Sequence, residues 1–175
     1  VAERANQSII IADIDSNGTN EMFAVTSGTN SLTGTLLTPG YFYAVICSTG
    51  VDSLTFANFN YLAEYSGGLR QLIIGDADQD RKPNLYIAGH YNEAVFDWEY
   101  NGGHLGNAEN YTETMIFMDD TTDNFTTTGT GAAQDQGKVR VAKLFSGDID
   151  NDGNGDVIFS SASFATDKPQ LFMVE

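Results

Sequence analysis

Three short acidic runs are spaced as ligands for a hard cation. The third is the fullest: Asp148, Asp150 and Asp152 hold positions 1, 3 and 5 of a loop, Gly153 position 6 and Asp156 position 9. Alternate positions of a tight loop can turn their side chains toward one point. Glycine at position 6 permits a left-handed backbone. The main-chain carbonyl of position 7, Asn154, can then face the same centre. This set of oxygens suits Ca2+, which takes about 6–8 of them at roughly 2.3–2.6 Å. Without a cation, four carboxylates so close would repel one another.

Two further runs follow the same scheme. The first has Asp13, Asp15, Asn17, Gly18 and Glu21 at positions 1, 3, 5, 6 and 9. The second has Asp76, Asp78 and Asp80, then Arg81 where the others have glycine, and the neutral Asn84 at position 9. A left-handed arginine is sterically costly, and its charge lies near any bound ion, so the second loop is expected to bind most weakly. An EF-hand is excluded. It needs a Glu at position 12 and flanking helices, whereas position 12 here is Ala24, Ile87 and Phe159 and the flanks are strand-like. The expectation is up to three Ca2+ ions.

The elements that must position these loops are apolar runs on either side of each. Asp13 and Asp76 are 63 positions apart, and Asp76 and Asp148 are 72 apart. A period of that size holds about four strands of ~5–6 residues with their connections. In the second unit the runs are Leu72–Gly75, Leu85–Gly89, Ala94–Tyr100 and Thr114–Met118, with a turn signal at Asn101-Gly102-Gly103. The third unit offers Asp156–Ser160 and Gln170–Val174 and then ends. A repeated four-stranded antiparallel unit is the mark of a β-propeller blade. The predicted fold is therefore all-β: one incomplete propeller domain, part of a larger ring. Residues 1–66 form the first blade, 67–137 the second with a long polar connection, and 138–175 a partial third. The missing blades are expected from the same polypeptide or another chain.

Composition narrows the function. The 175 residues carry 24 acidic and 8 basic side chains, a net charge of −16. Nucleic acid and anionic membrane surfaces, which need basic partners, are disfavoured. The chain has no apolar run near the ~20 residues that span a bilayer. Its first residue is Val1, as in a mature secreted protein or a fragment of one, and the expected location is extracellular or at the cell surface. The single cysteine, Cys47, lies in the apolar run from Tyr41 and reads as a buried small side chain.

At this point the pattern Asp-x-Asp/Asn-x-Asp/Asn-Gly-x-x-Asp between apolar strands resembles the FG-GAP/VCBS repeat of integrin-α-type β-propellers. The resemblance covers all three units. It implies that each loop joins the first two strands of a blade and binds Ca2+. The implied ligands are Asp13, Asp15, Asn17 and Glu21; Asp76, Asp78, Asp80 and Asn84; Asp148, Asp150, Asp152 and Asp156; and the main-chain carbonyls of Thr19, Lys82 and Asn154. The Phe-Gly…Gly-Ala-Pro signature is absent, and Ala12 stands where the other units have Gly75 and Gly147. The family forms seven or eight blades and is mostly extracellular. It serves in adhesion, carbohydrate binding and scaffolding, and some such propellers are polysaccharide lyases. The leading expectation is a calcium-stabilised module that binds a protein or carbohydrate ligand or assembles with other chains. The rivals are a secreted lyase or hydrolase with its active residues elsewhere, and a subunit of an extracellular filament or surface layer. No catalytic residue is assigned.

Other groups have plainer readings. Phe96, Trp98 and Tyr100 share one strand face, either packed against a neighbouring blade or exposed for sugar stacking. Asp97 and Glu99 point the other way. His90 and His104 are the only histidines and read as surface residues. The stretch from Thr121 to Gly137 reads as a surface loop. Asn6, Asn17, Asn110 and Asn124 begin glycosylation triplets.

Overall fold

The computed structural model describes residues 6–27, 29–30, 36–45, 59–65, 68–89, 94–118, 141–161 and 170–174. Cys47, His90, Asn124 and the stretch from Thr121 to Gly137 lie outside them. The first sheet contains β1 (Asn6–Ala12), β2 (Glu21–Thr26), β5 (Gly40–Val45) and β6 (Phe59–Tyr65), hydrogen-bonded in that order. Between β2 and β5 the chain forms a small ribbon of β3 (Thr29–Asn30) and β4 (Leu36–Thr38). The second sheet is a meander of β7 (Leu69–Gly75), β8 (Asn84–Gly89), β9 (Ala94–Tyr100) and β10 (Tyr111–Met118). The third contains β11 (Val141–Gly147), β12 (Asp156–Ser161) and β13 (Gln170–Val174). Every pairing is antiparallel. The all-β class and the four-stranded antiparallel unit agree with the sequence reading.

The units repeat in detail as well as in outline. The first strand of each sheet meets the second through a one-residue register shift at matching positions: Asn6/Ser8, Leu69/Gln71 and Val141/Lys143. Each pairing ends with the residue before the acidic loop opposite position 9: Ala12 with Glu21, Gly75 with Asn84, Gly147 with Asp156. The glycine at 75 has a packing reason, since a Cβ there would lie 2.4 Å from Ser146 Oγ.

Because strand side chains alternate between faces, each sheet has two apolar faces to cover. Phe23, Val25, Phe42 and Ala44 of the first sheet pack with Leu72, Leu85, Ile87, Phe96 and Trp98 of the second. Tyr86, Ala88 and Val95, on the opposite face of the second sheet, pack with Leu144, Val157 and Phe159 of the third. The aromatic row is thus buried between sheets and is not a sugar platform. Trp98 meets Phe42 edge-on at 5.2 Å, and Phe96 meets Tyr65 at 4.5 Å. The Trp98 indole N–H donates to the Tyr65 hydroxyl at 2.7 Å, and that hydroxyl donates to Glu113 at 2.7 Å. Burying each Leu, Ile or Phe in these layers contributes about 1.5–3 kcal/mol.

Candidate metal centre

Each acidic loop spans from the first to the second strand of its sheet. All three have the same backbone course. Position 4 is left-handed in each, at Ser16 (φ 58°), Gln79 (φ 54°) and Asn151 (φ 62°). So is position 6, at Gly18 (φ 87°), Arg81 (φ 71°) and Gly153 (φ 93°). The second loop therefore meets the same backbone demand with a residue that adopts it at a cost.

Side chains hold that course. The N–H of position 6 donates to the position 1 carboxylate: Gly18 to Asp13 at 2.8 Å, Arg81 to Asp76 at 3.1 Å and Gly153 to Asp148 at 3.2 Å. The N–H of position 5 donates to position 3: Asn17 to Asp15 at 3.1 Å, Asp80 to Asp78 at 3.3 Å and Asp152 to Asp150 at 3.1 Å. The N–H of position 7 donates to position 5: Thr19 to Asn17 at 2.7 Å, Lys82 to Asp80 at 2.8 Å and Asn154 to Asp152 at 2.8 Å. These bonds turn the acidic side chains inward. One oxygen from each of Asp13, Asp15 and Glu21 lies within 4.8 Å of the others. The same holds for Asp76, Asp78 and Asp80, and for Asp148, Asp150 and Asp156.

Position 9 separates the second loop from its neighbours. Glu21 and Asp156 are buried, and each accepts the N–H of position 2: Ile14 to Glu21 at 3.2 Å and Ile149 to Asp156 at 2.8 Å. Desolvation pushes the Glu21 carboxyl above its usual pKa; the Ile14 N–H opposes this and the charges of Asp15 and Asp13 add to it. In the second loop the Ala77 N–H donates instead to the Tyr86 hydroxyl at 3.1 Å. Asn84 is 1% exposed, its Nδ2 donates to both carboxylate oxygens of Asp97 at 3.0 and 3.1 Å, and its Oδ1 has no hydrogen-bond partner. A buried carbonyl oxygen left so costs about 1–3 kcal/mol.

Near the second loop, the sequence reading gives Lys82 only a main-chain carbonyl role and does not connect Asp97 to the loop. Lys82 Nζ pairs with Asp80 at 2.7 Å and Glu99 at 2.6 Å. Its hydrogen bond holds the Asp80 carboxyl below the usual range. Asp97 is half-buried, and desolvation raises its pKa to about 6, with the Asn84 amide opposing and the charges of Asp78 and Glu99 adding. It also lines a cavity of about 170 Å³ with Asp78, Tyr86, Val157 and Val174. Alternation along β9 was the available signal for Asp97, because it put that side chain opposite the aromatic face. His104 lies apart, exposed, accepting the Gly106 N–H at its Nδ1.

The donor sets fit a hard divalent cation: carboxylates and amide oxygens with no thiolate or imidazole among them. The orphaned Asn84 oxygen fits one too. Fold and site together define an all-β protein of antiparallel sheets whose first two strands are joined, in each sheet, by an acidic loop. Compared with known proteins, the chain matches no family model, and no curated protein matches it.

Proposed function

We propose that this chain is a calcium-stabilised segment of a β-propeller, working outside the cell as a binding or assembly module. The observation that carries the calcium part is the buried, partnerless Oδ1 of Asn84 at position 9 of a loop whose other acidic oxygens converge. A cation in the loop gives that oxygen a partner. In the other two loops Glu21 and Asp156 stand at the same register and already lie with the aspartates. Ca2+ would supply only charge and coordination. The residues do the rest: the aspartates present oxygens, the left-handed positions 4 and 6 curl the backbone, and the strand pairing fixes position 9. Exposed loops of mixed carboxylate and amide donors suit the ~10⁻⁴–10⁻³ M affinities of extracellular modules.

The propeller part rests on how the sheets stack. The second sheet offers Leu85 and Ile87 to the first and Tyr86 and Ala88 to the third. Each sheet thus applies one face to the opposite face of its neighbour, a head-to-tail contact that repeats until it closes a ring or extends. The outer faces support further sheets. Ile9 of β1 is 48% exposed, whereas the matching Leu72 and Leu144, each covered by the preceding sheet, are 2% and 1% exposed. Phe145 of β11 is 64% exposed, whereas the matching Ile10 and Ile73 pack into the inter-sheet cores. The resemblance to FG-GAP/VCBS repeats agrees with both parts.

Calorimetric titration of the chelator-treated chain with Ca2+ tests the calcium reading. Up to three ions should bind, and saturation should raise the melting temperature, because a ligand bound only by the folded state stabilises by RT ln(1 + [L]/Kd), about 2.7 kcal/mol at a hundredfold excess over Kd. No heat of binding together with an unchanged melting temperature would sink it.

A further inference from the structure

We infer that Asp97 is the positioning residue of the second cation site: it grips the Asn84 side chain by its nitrogen, so that the amide oxygen is the atom left for the ion. The inference rests on the calcium reading above. An asparagine amide has two chemically opposite ends, an oxygen that can ligate a cation and an NH2 that repels it. Nothing in Asn84 itself selects between them. Asp97 does, because its two carboxylate oxygens accept from Nδ2 at 3.0 and 3.1 Å. Turned over, the amide would set its oxygen against that carboxylate. The side chain is 1% exposed, so solvent cannot absorb the wrong orientation.

The comparison between sheets makes the assignment specific. Asp97 pairs across β8 and β9 with Tyr86, two residues after Asn84. The same place in the first sheet, opposite Phe23, is Ala44, and in the third sheet, opposite Ile158, it is Met173. A carboxylate stands there only in the sheet whose position 9 is neutral. The second loop therefore keeps the negative charge of its neighbours but moves it one residue outward, behind the amide. Such outer partners orient and polarise the ligand, and losing one typically weakens metal affinity about 10–100-fold.

The test titrates the whole chain with Ca2+ by calorimetry, in a background where Asp13→Ala and Asp148→Ala disable the outer two loops. One ion should bind. Asp97→Ala, a residue the first sheet already holds at this place as Ala44, should weaken that binding about 10–100-fold. Adding Asn84→Asp should recover it, because the loop then has the carboxylate-over-alanine pairing of the first sheet. A merely structural Asp97 would not be rescued in this way. Unchanged affinity in Asp97→Ala would overturn the positioning role and leave the calcium reading intact. Absence of binding in the background, with two ions still bound by the unsubstituted chain, would overturn it too. Absence of binding by the unsubstituted chain would overturn the calcium reading itself. If Asp97→Ala does not fold, the Asn84 side-chain NH2 signal of the unsubstituted chain decides by NMR: it should shift on Ca2+ addition while staying protected from solvent exchange. Loss of that protection on binding would overturn the inference.

Discussion

At the scale of single residues, the second loop carries a local conflict at Arg81. Its φ of 71° is one that Gly18 and Gly153 take freely in the matching places. A residue with a Cβ in that region costs roughly 1–2 kcal/mol. Glycine loses about 0.5–1 kcal/mol more chain entropy on folding, so Arg81→Gly should leave a net gain of about 0.5–1 kcal/mol. For a chain of this size that is a rise of about 1–4 °C in melting temperature, read by calorimetry in chelator. The same variant removes a positive charge beside the ion and should tighten Ca2+ binding at that loop. A lower melting temperature would mean that the arginine side chain stabilises the loop in some other way. The demand at position 6 was legible because two of three loops spend a glycine on it. The equal demand at position 4 was not, since Ser16, Gln79 and Asn151 share no residue type. There the left-handed turn is imposed by side-chain bonds that close the loop, such as Asp152 N–H to Asp148 at 3.1 Å, and such closure leaves little mark on composition.

At the scale of elements, the loops are not equally independent. The second and third touch: Gly155 N–H donates to the Ala77 carbonyl at 2.9 Å, and Gln79 Nε2 donates to the Gly153 carbonyl. Ala77 and Gln79 lie between the acids of one loop, and Gly153 and Gly155 between those of the next. Between the first and second loops the place of Gly155 falls to Pro83, which has no N–H to donate. A solvent-open cleft of about 410 Å³ separates them there, lined by Ile14, Ser16, Arg81 and Pro83 among others. Ordering one loop of the touching pair should then help order the other, a positive coupling. Disabling the second loop with Asp76→Ala should weaken Ca2+ binding at the third several-fold and leave the first unchanged. Gly155→Ala should abolish the coupling, since a Cβ there would sit 2.4 Å from the Ala77 oxygen, and overpacking of this kind costs about 1–3 kcal/mol. A third loop that binds Ca2+ as tightly in Asp76→Ala as in the unsubstituted chain would end the idea. The strands themselves were readable from apolar runs and the repeat period, and Ala94–Tyr100 matches to the residue. Contacts between loops were not, because residues such as Gln79 and Gly153 lie 74 positions apart and no local pattern links them.

For the molecule as a whole, the sheet stack leaves an apolar face at each end. On the first sheet Ile9, Ile11 and Tyr61 are exposed; on the third, Phe145, Leu171 and Met173 are. These are the faces that, between sheets, bury Leu72, Leu144, Phe23 and Tyr86. A single exposed leucine is ordinary on a protein surface, but a contiguous row on the face of a sheet marks an interaction site. Since the two end faces match the two sides of an internal contact, copies of the chain can stack head to tail, the geometry that yields rings or open arrays. Sedimentation velocity of the calcium-saturated chain should therefore show concentration-dependent association beyond a dimer, because each copy offers both halves of the contact. Ile9→Lys and Ile11→Lys together should block one half on every copy and hold the chain as a monomer. Their side chains face outward, so the melting temperature should change little. Association that persists in the double variant would place the contact elsewhere, and a chain that stays monomeric at high concentration would show that the end faces need no cover. The charge of −16 opposes stacking through general repulsion. Ca2+ bound in the loops would lower that charge, so association should strengthen with Ca2+ and with added salt alike, whereas a contact held by ion pairs would weaken with salt.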